Sequence, residues 1–133
     1  MQVVGSQLQQ RILVVEDEAD ILALMTFVLE RAGYEVICVT RVAEARAAIS
    51  LYSFDTALVD LCLPDGCGDE VVASLRVESP DTRIVVTSAF TQTPLVPQFA
   101  VESGDSFLAK PFNNAALVAA VSGQRLAVPV RSA

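Results

Sequence analysis

The chain predicts an α/β domain in which five strands alternate with five helices and form one parallel sheet covered on both faces. Three observations carry this. Short continuous apolar runs rich in β-branched residues stand at 11–16, 54–60 and 83–88, as in strands buried on both faces. Between them apolar residues recur at helical spacing, for example Ile21, Leu22, Met25, Val28 and Leu29. Polar residues stand where the apolar runs stop: Glu16-Asp17, Asp60, Thr87-Ser88 and Lys110.

Each element follows from its own residues. The run 11–16 is strand β1, and the periodic stretch after it is helix α1, closed by Gly33 in the position that favours glycine. Residues 34–39 form β2. The alanine-rich stretch 42–49 is α2, with Thr40 as its N-cap. Residues 54–60 form β3, and a loop with Pro64, Gly66 and Gly68 leads into α3 at 69–76, whose Val71, Val72 and Leu75 face inward. Pro80-Asp81 is a turn before β4 at 83–88. Helix α4 is the irregular element. Thr93-Pro94 suits a helix start, but Pro97 lacks the N–H that a regular turn needs, so α4 is expected to begin near Pro97 and to be short. Residues 106–109 are β5, and Asn113 or Asn114 caps α5, which runs to about Gly123. One domain is expected over 9–126, with loose tails at 1–8 and 127–133.

Composition bounds the function. A chain of 133 residues suits one core. Mean hydropathy is +0.49, high for a soluble protein, yet no apolar run approaches the roughly 18 residues of a membrane span. Buried parallel strands account for the excess. Residues 1–10 lack the features of a signal peptide, so a cytoplasmic location is expected. The net charge of −7 argues against direct nucleic-acid binding, which draws on Lys and Arg against phosphate. Cys38, Cys62 and Cys67 fit no zinc spacing and are expected to be reduced and structural.

The polar groups after β1, β3, β4 and β5 lie on one rim of a parallel sheet, where open α/β folds bind ligands. Two carboxylates about 4 Å apart repel by roughly 4 kcal/mol at an effective dielectric of 20. A divalent cation with oxygen ligands compensates them, and Mg2+ takes one or two carboxylates together with phosphate oxygens. A carboxylate beside such an ion and the Lys110 ammonium can attack phosphorus. Ser88 can hydrogen-bond the transferred group. The pattern therefore reads as phosphoryl transfer onto Asp60. Singly, each feature has a plainer reading. Glu16-Asp17 could only complement the α1 dipole, Ser88 could be a satisfied hydroxyl, Lys110 a surface lysine, and Pro64-Asp65-Gly66 a generic turn. Their joint placement at successive strand ends favours the shared site.

The segments Val14-Val15-Glu16-Asp17-Glu18, Asp60 with Leu63-Pro64-Asp65-Gly66, Ser88-Ala89 and Phe107-Leu108-Ala109-Lys110-Pro111-Phe112 resemble the receiver domain of bacterial two-component response regulators. The likeness spans about 11–126. It implies the flavodoxin-like, CheY-like doubly wound fold with strand order 2-1-3-4-5, an order carried over from the family. It implies that Asp60 is the phosphoacceptor, taking a phosphoryl group from a sensor histidine kinase or a phosphotransfer protein. Asp17 matches a direct ligand of Mg2+ (or Mn2+), Glu16 an acidic partner acting through water, and the Cys62 backbone carbonyl the third protein ligand. Lys110 matches the lysine that pairs with the phosphoryl group, and Ser88 with Phe107 matches the switch pair. The Lys110-Pro111 bond is cis in many relatives. The α4-β5-α5 face is the family's output surface, used for partner contacts or homodimerisation, and Pro94 and Pro97 make this chain unusual there. Phe90 is expected to shield an aspartyl phosphate and slow its hydrolysis.

The expected function is thus a switch controlling a downstream protein, or an effector domain in a longer parent chain, without turnover of an external substrate. An aspartyl phosphatase would carry a second aspartate two residues after the nucleophile, where Cys62 stands. A flavin-binding module would need a phosphate-cradling loop after β1, where Glu16-Asp17-Glu18 repels phosphate. A pseudo-receiver that binds partners without phosphorylation remains the alternative.

Overall fold

A computed structural model describes residues 9–88 and 106–123, with side chains at 9–87 and 107–123. Its five sheet strands are β1 (Arg11–Val15), β2 (Glu35–Val39), β3 (Thr56–Asp60), β4 (Arg83–Ser88) and β5 (Ser106–Ala109). They pair in parallel in the order β2-β1-β3-β4-β5. The helices are α1 (Ala19–Arg31), α2 (Val42–Leu51), α3 (Gly68–Glu78) and α5 (Asn114–Ser122). The expected α4 and Phe90 lie outside the described residues, as do the two tails.

Period-two alternation along the strands divides the interior into two cores. Leu13, Val15, Ala57, Val59, Ile84 and Val86 face α2 and α3, where they meet Val42, Ile49, Val71 and Leu75. Ile12, Val14, Leu58, Val85 and Leu108 face the other way, toward Met25, Leu29, Leu117 and Val121 of α1 and α5. A strand buried on both faces must be apolar throughout, which is why these segments read as unbroken runs. The helix ends follow the expected chemistry in part. Gly33 follows α1 with φ +101°. The Asn113 side chain caps α5 by accepting the Ala116 N–H at 2.7 Å, and Gly123 ends that helix with φ +88°.

Three details correct the sequence reading. First, the residue before α2 is Arg41, and Thr40 is not the cap. The Thr40 N–H and hydroxyl both donate to Glu44 Oε1, at 2.8 and 3.1 Å. The cap comes from elsewhere: Asp65 accepts the N–H groups of Val42 and Ala43 at 2.7 and 3.1 Å. Second, the loop after β3 contains a small antiparallel ribbon, Cys62–Leu63 with Gly66–Cys67. Third, all three cysteines are exposed, so none serves as a structural core residue. Cys38 lies on β2, at the sheet edge where burial is incomplete.

Candidate functional site

The parallel register brings the ends of β1, β3 and β5 together. Glu16 continues β1 by one residue, its N–H donating to the Val39 carbonyl at 3.0 Å. Asp60 is the last residue of β3. Lys110 follows β5, joined to Pro111 by a cis bond. The Lys110 Nζ lies 2.8 Å from Glu16 Oε1 and 3.0 Å from Asp60 Oδ2. The side chains are about 10%, 1% and 7% exposed for Lys110, Glu16 and Asp60, so water screens this trio little.

Each carboxylate is further tied to backbone. Glu16 Oε2 accepts the Glu18 N–H at 3.0 Å. Asp60 Oδ1 accepts the Cys62 N–H at 3.1 Å. Burial pushes the Glu16 carboxyl above its ordinary value, against the bonds it receives from Lys110 and the Glu18 N–H. Burial likewise favours a neutral Lys110, but its bonds and charge interactions with Glu16 and Asp60 outweigh that and hold it above the ordinary lysine value. The ammonium is therefore firmly charged and sits between two acids.

Glu16 Oε1 is fully buried, with the Lys110 ammonium at 2.8 Å as its counter-charge. Glu16, Asp17 and Asp60 each offer a carboxylate oxygen, and these oxygens lie within 4.8 Å of one another. Asp17 is exposed, so the cluster opens to solvent on its side. Two of these three carboxylates share one ammonium, leaving excess negative charge and oxygen donors only. That donor set fits a hard divalent cation.

The other expected residues stand on the neighbouring segments. Cys62 lies two residues after the end of β3, in the ribbon. Ser88 ends β4 next to Ala109 of β5, and its side chain is outside the described residues. Phe107 is half-buried on β5 and packs against the α2-α3 core. Two residues gain roles that the sequence did not disclose. Gly68 begins α3 and packs onto the backbone of Asp60 and Leu61, its N–H donating to the Leu61 carbonyl at 3.0 Å. Asp65 fastens the same loop to α2.

A doubly wound parallel sheet with buried acids after its first and third strands and a lysine after its fifth defines a receiver-type signalling domain. The chain belongs to the response regulator receiver domain family, whose sequence model matches residues 12–122. It is 32% identical over 106 residues to the alginate biosynthesis transcriptional regulatory protein AlgB of Pseudomonas aeruginosa, covering 80% of this chain and 24% of that protein. The chain thus spans about a quarter of the length of that curated relative. A solved response regulator from Burkholderia pseudomallei, with a phosphorylated aspartic acid, calcium ion and citrate, superimposes with a TM-score of 0.76 at 31% identity, covering 85% of this chain and 66% of that one. The receiver domain of a Pseudomonas aeruginosa sensor histidine kinase, with a magnesium ion in its active site cleft, superimposes with a TM-score of 0.75 at 25% identity, covering 86% and 95%. Among the described residues no helix is long and apolar enough to cross a membrane.

Proposed function

We propose that this domain is a phosphorylation-dependent switch in which Asp60 accepts a phosphoryl group from a sensor histidine kinase or a phosphotransfer protein. One observation carries the reading: Asp60 and Glu16 both lie within 3.0 Å of the Lys110 ammonium, although nearly the whole domain separates the three residues in sequence. Glu16, Asp17, Asp60 and the backbone carbonyl of Cys62 would hold Mg2+ (or Mn2+). Bound there, the ion would neutralise the carboxylates and the charge on the transferring oxygens.

The chain's own groups divide the remaining work. Asp60 Oδ1 is held by the Cys62 N–H and Oδ2 by Lys110, so the carboxylate that would attack phosphorus is fixed in place. On transfer, the lysine exchanges part of its contact with Asp60 for a phosphoryl oxygen, a charge-assisted bond. Ser88 would follow the new oxygens and Phe107 would turn with it, passing the change to the α4-β5-α5 face. Moving such a switch from mostly off to mostly on needs about 5.5 kcal/mol of differential stabilisation. The domain, for which we take the bounds 9–126, would act in the cytoplasm on a protein target, on an attached effector domain, or on a second copy through that face. It would bind neither nucleic acid nor membrane and turn over no external substrate.

Incubation with acetyl phosphate and Mg2+, read by intact mass, tests this. The expected result is gain of one phosphoryl group that Asp60→Asn abolishes. No gain under any metal condition would favour a pseudo-receiver that binds partners without phosphorylation.

A further inference from the structure

The ribbon after β3 carries two of the three cysteines and sets them side by side. Cys62 pairs with Cys67 and Leu63 with Gly66, leaving Pro64-Asp65 as the turn. One step further along the same register, the Gly68 N–H donates to the Leu61 carbonyl at 3.0 Å. Hydrogen-bonded and non-hydrogen-bonded pairs alternate along an antiparallel ribbon. Leu61 and Gly68 form a hydrogen-bonded pair, so Cys62 and Cys67 form a non-hydrogen-bonded one. Such pairs hold their Cα atoms about 4.5 Å apart, with both side chains on one face of the ribbon. A disulfide requires a Cα separation of roughly 4.4–6.8 Å. Both residues are exposed, so an oxidant can reach either thiol.

We propose that Cys62 and Cys67 are a redox-modification site, a dithiol that a peroxide closes into an intramolecular disulfide across the ribbon. One thiol sulfur attacks hydrogen peroxide, the O–O bond breaks, and a sulfenic acid and water form. The second sulfur then attacks the sulfenic sulfur, the S–O bond breaks, and a second water leaves. Two thiols lose two electrons and one peroxide is reduced to two waters. A low-molecular-weight thiol reverses the change by exchange. The bond would staple Cys62, whose N–H holds Asp60 Oδ1, to Cys67, the residue just before α3. Closure therefore restrains the peptide that positions the phosphoacceptor. Its effect on phosphoryl transfer rests on the proposed function; the dithiol itself does not.

The test treats the reduced full chain with a slight excess of hydrogen peroxide and measures intact mass before and after alkylating the remaining thiols. The expected product is a monomer lighter by about 2 Da with one alkylatable thiol, returning to three after dithiothreitol. Cys38→Ser should still lose the 2 Da, and Cys67→Ser should not. No mass loss in the wild type, loss that persists in Cys67→Ser, or covalent dimers alone would overturn the proposal. In parallel, the oxidised form should take a phosphoryl group from acetyl phosphate at least about tenfold more slowly than the reduced form. Reduced Cys67→Ser should match the reduced wild type and be insensitive to peroxide. Equal rates in both redox forms would overturn the coupling. Failure of both forms to gain a phosphoryl group would overturn the proposed function and leave the disulfide result standing.

Discussion

Gly68 rests directly on the backbone of Asp60: a Cβ at position 68 would overlap the Asp60 carbonyl oxygen and approach the Leu61 Cα to 2.9 Å. The atoms it would strike are backbone, so no side chain can swing aside. The start of α3 and the end of β3 are thus packed as one unit. Gly68→Ala should push the end of β3 out of register with Lys110. The expected cost is about 1–3 kcal/mol of stability, the usual range for overpacking, together with slower phosphoryl transfer to Asp60. Urea unfolding and acetyl phosphate labelling measure the two effects. Wild-type values for both in Gly68→Ala would show that the close approach relaxes freely.

Asp65 links the site loop to α2, and its charge has a definite pH signature. The Val42 N–H above all, helped by the weaker bond from the Ala43 N–H, holds the Asp65 carboxyl below its ordinary value of 3.8, against an opposing effect of burial that ranks between the two. A carboxyl depressed in the folded state adds stability that is present above its unfolded value and is lost as pH falls through the folded one. Asparagine can still cap a helix but cannot titrate. The urea midpoint of Asp65→Asn should therefore lie below that of the wild type at neutral pH, and the gap should close below pH 3.8. A gap that is constant with pH would remove the charge from the explanation.

The same loop marks where the sequence stops being readable. The sheet strands were legible because burial on both faces demands continuous apolar runs, and β4 and β5 end where the runs end. The meeting of Glu16, Asp60 and Lys110 was legible because parallel strands place all their C-terminal ends on one rim. The ribbon at Cys62–Leu63 and Gly66–Cys67 was not, since two-residue strands have no alternation to detect. Thr40 resembled a cap by local chemistry, but the donors of α2 are met by Asp65, 23 positions away. The cysteines were expected to be structural on composition alone, whereas their exposure follows from an edge strand and a hairpin.

Lys110 is the only described group that offsets the charge of both Glu16 and Asp60 in this pocket. Its replacement by methionine keeps much of the volume and leaves two largely buried carboxylates facing each other. Loss of one partner from a buried ion pair costs about 3 kcal/mol or more. A divalent cation should recover part of that. A ligand at one hundred times its Kd stabilises by about 2.7 kcal/mol. Mg2+ should accordingly raise the melting temperature of Lys110→Met by more than that of the wild type. Phosphoryl transfer should nonetheless fall by about a hundredfold or more, because the donor aimed at the developing charge is gone. Equal Mg2+ shifts in the two proteins would show that cation and lysine do not share the same charge.

Arg83 ties the start of β4 to the end of α5. Its guanidinium donates to the Ala120 carbonyl at 2.8 Å and to the Val121 carbonyl at 3.4 Å. The last turn of α5 carries no basic residue of its own, so its terminal carbonyls draw their cation from a neighbouring strand. The planar fork reaches two carbonyls at once, which a lysine ammonium matches poorly. Arg83→Ala should destabilise the domain by about 1.5–3 kcal/mol, as for bonds from a charged donor, and Arg83→Lys by less. The loss should be uneven. Amide exchange should quicken in the last turn of α5 before it changes in β1 or β3, because only the helix end loses its partner. Since α5 forms part of the expected output face, binding of a partner there should weaken in step with that fraying. Unchanged exchange at Ala120 and Val121 in Arg83→Ala would show that water replaces the guanidinium without cost.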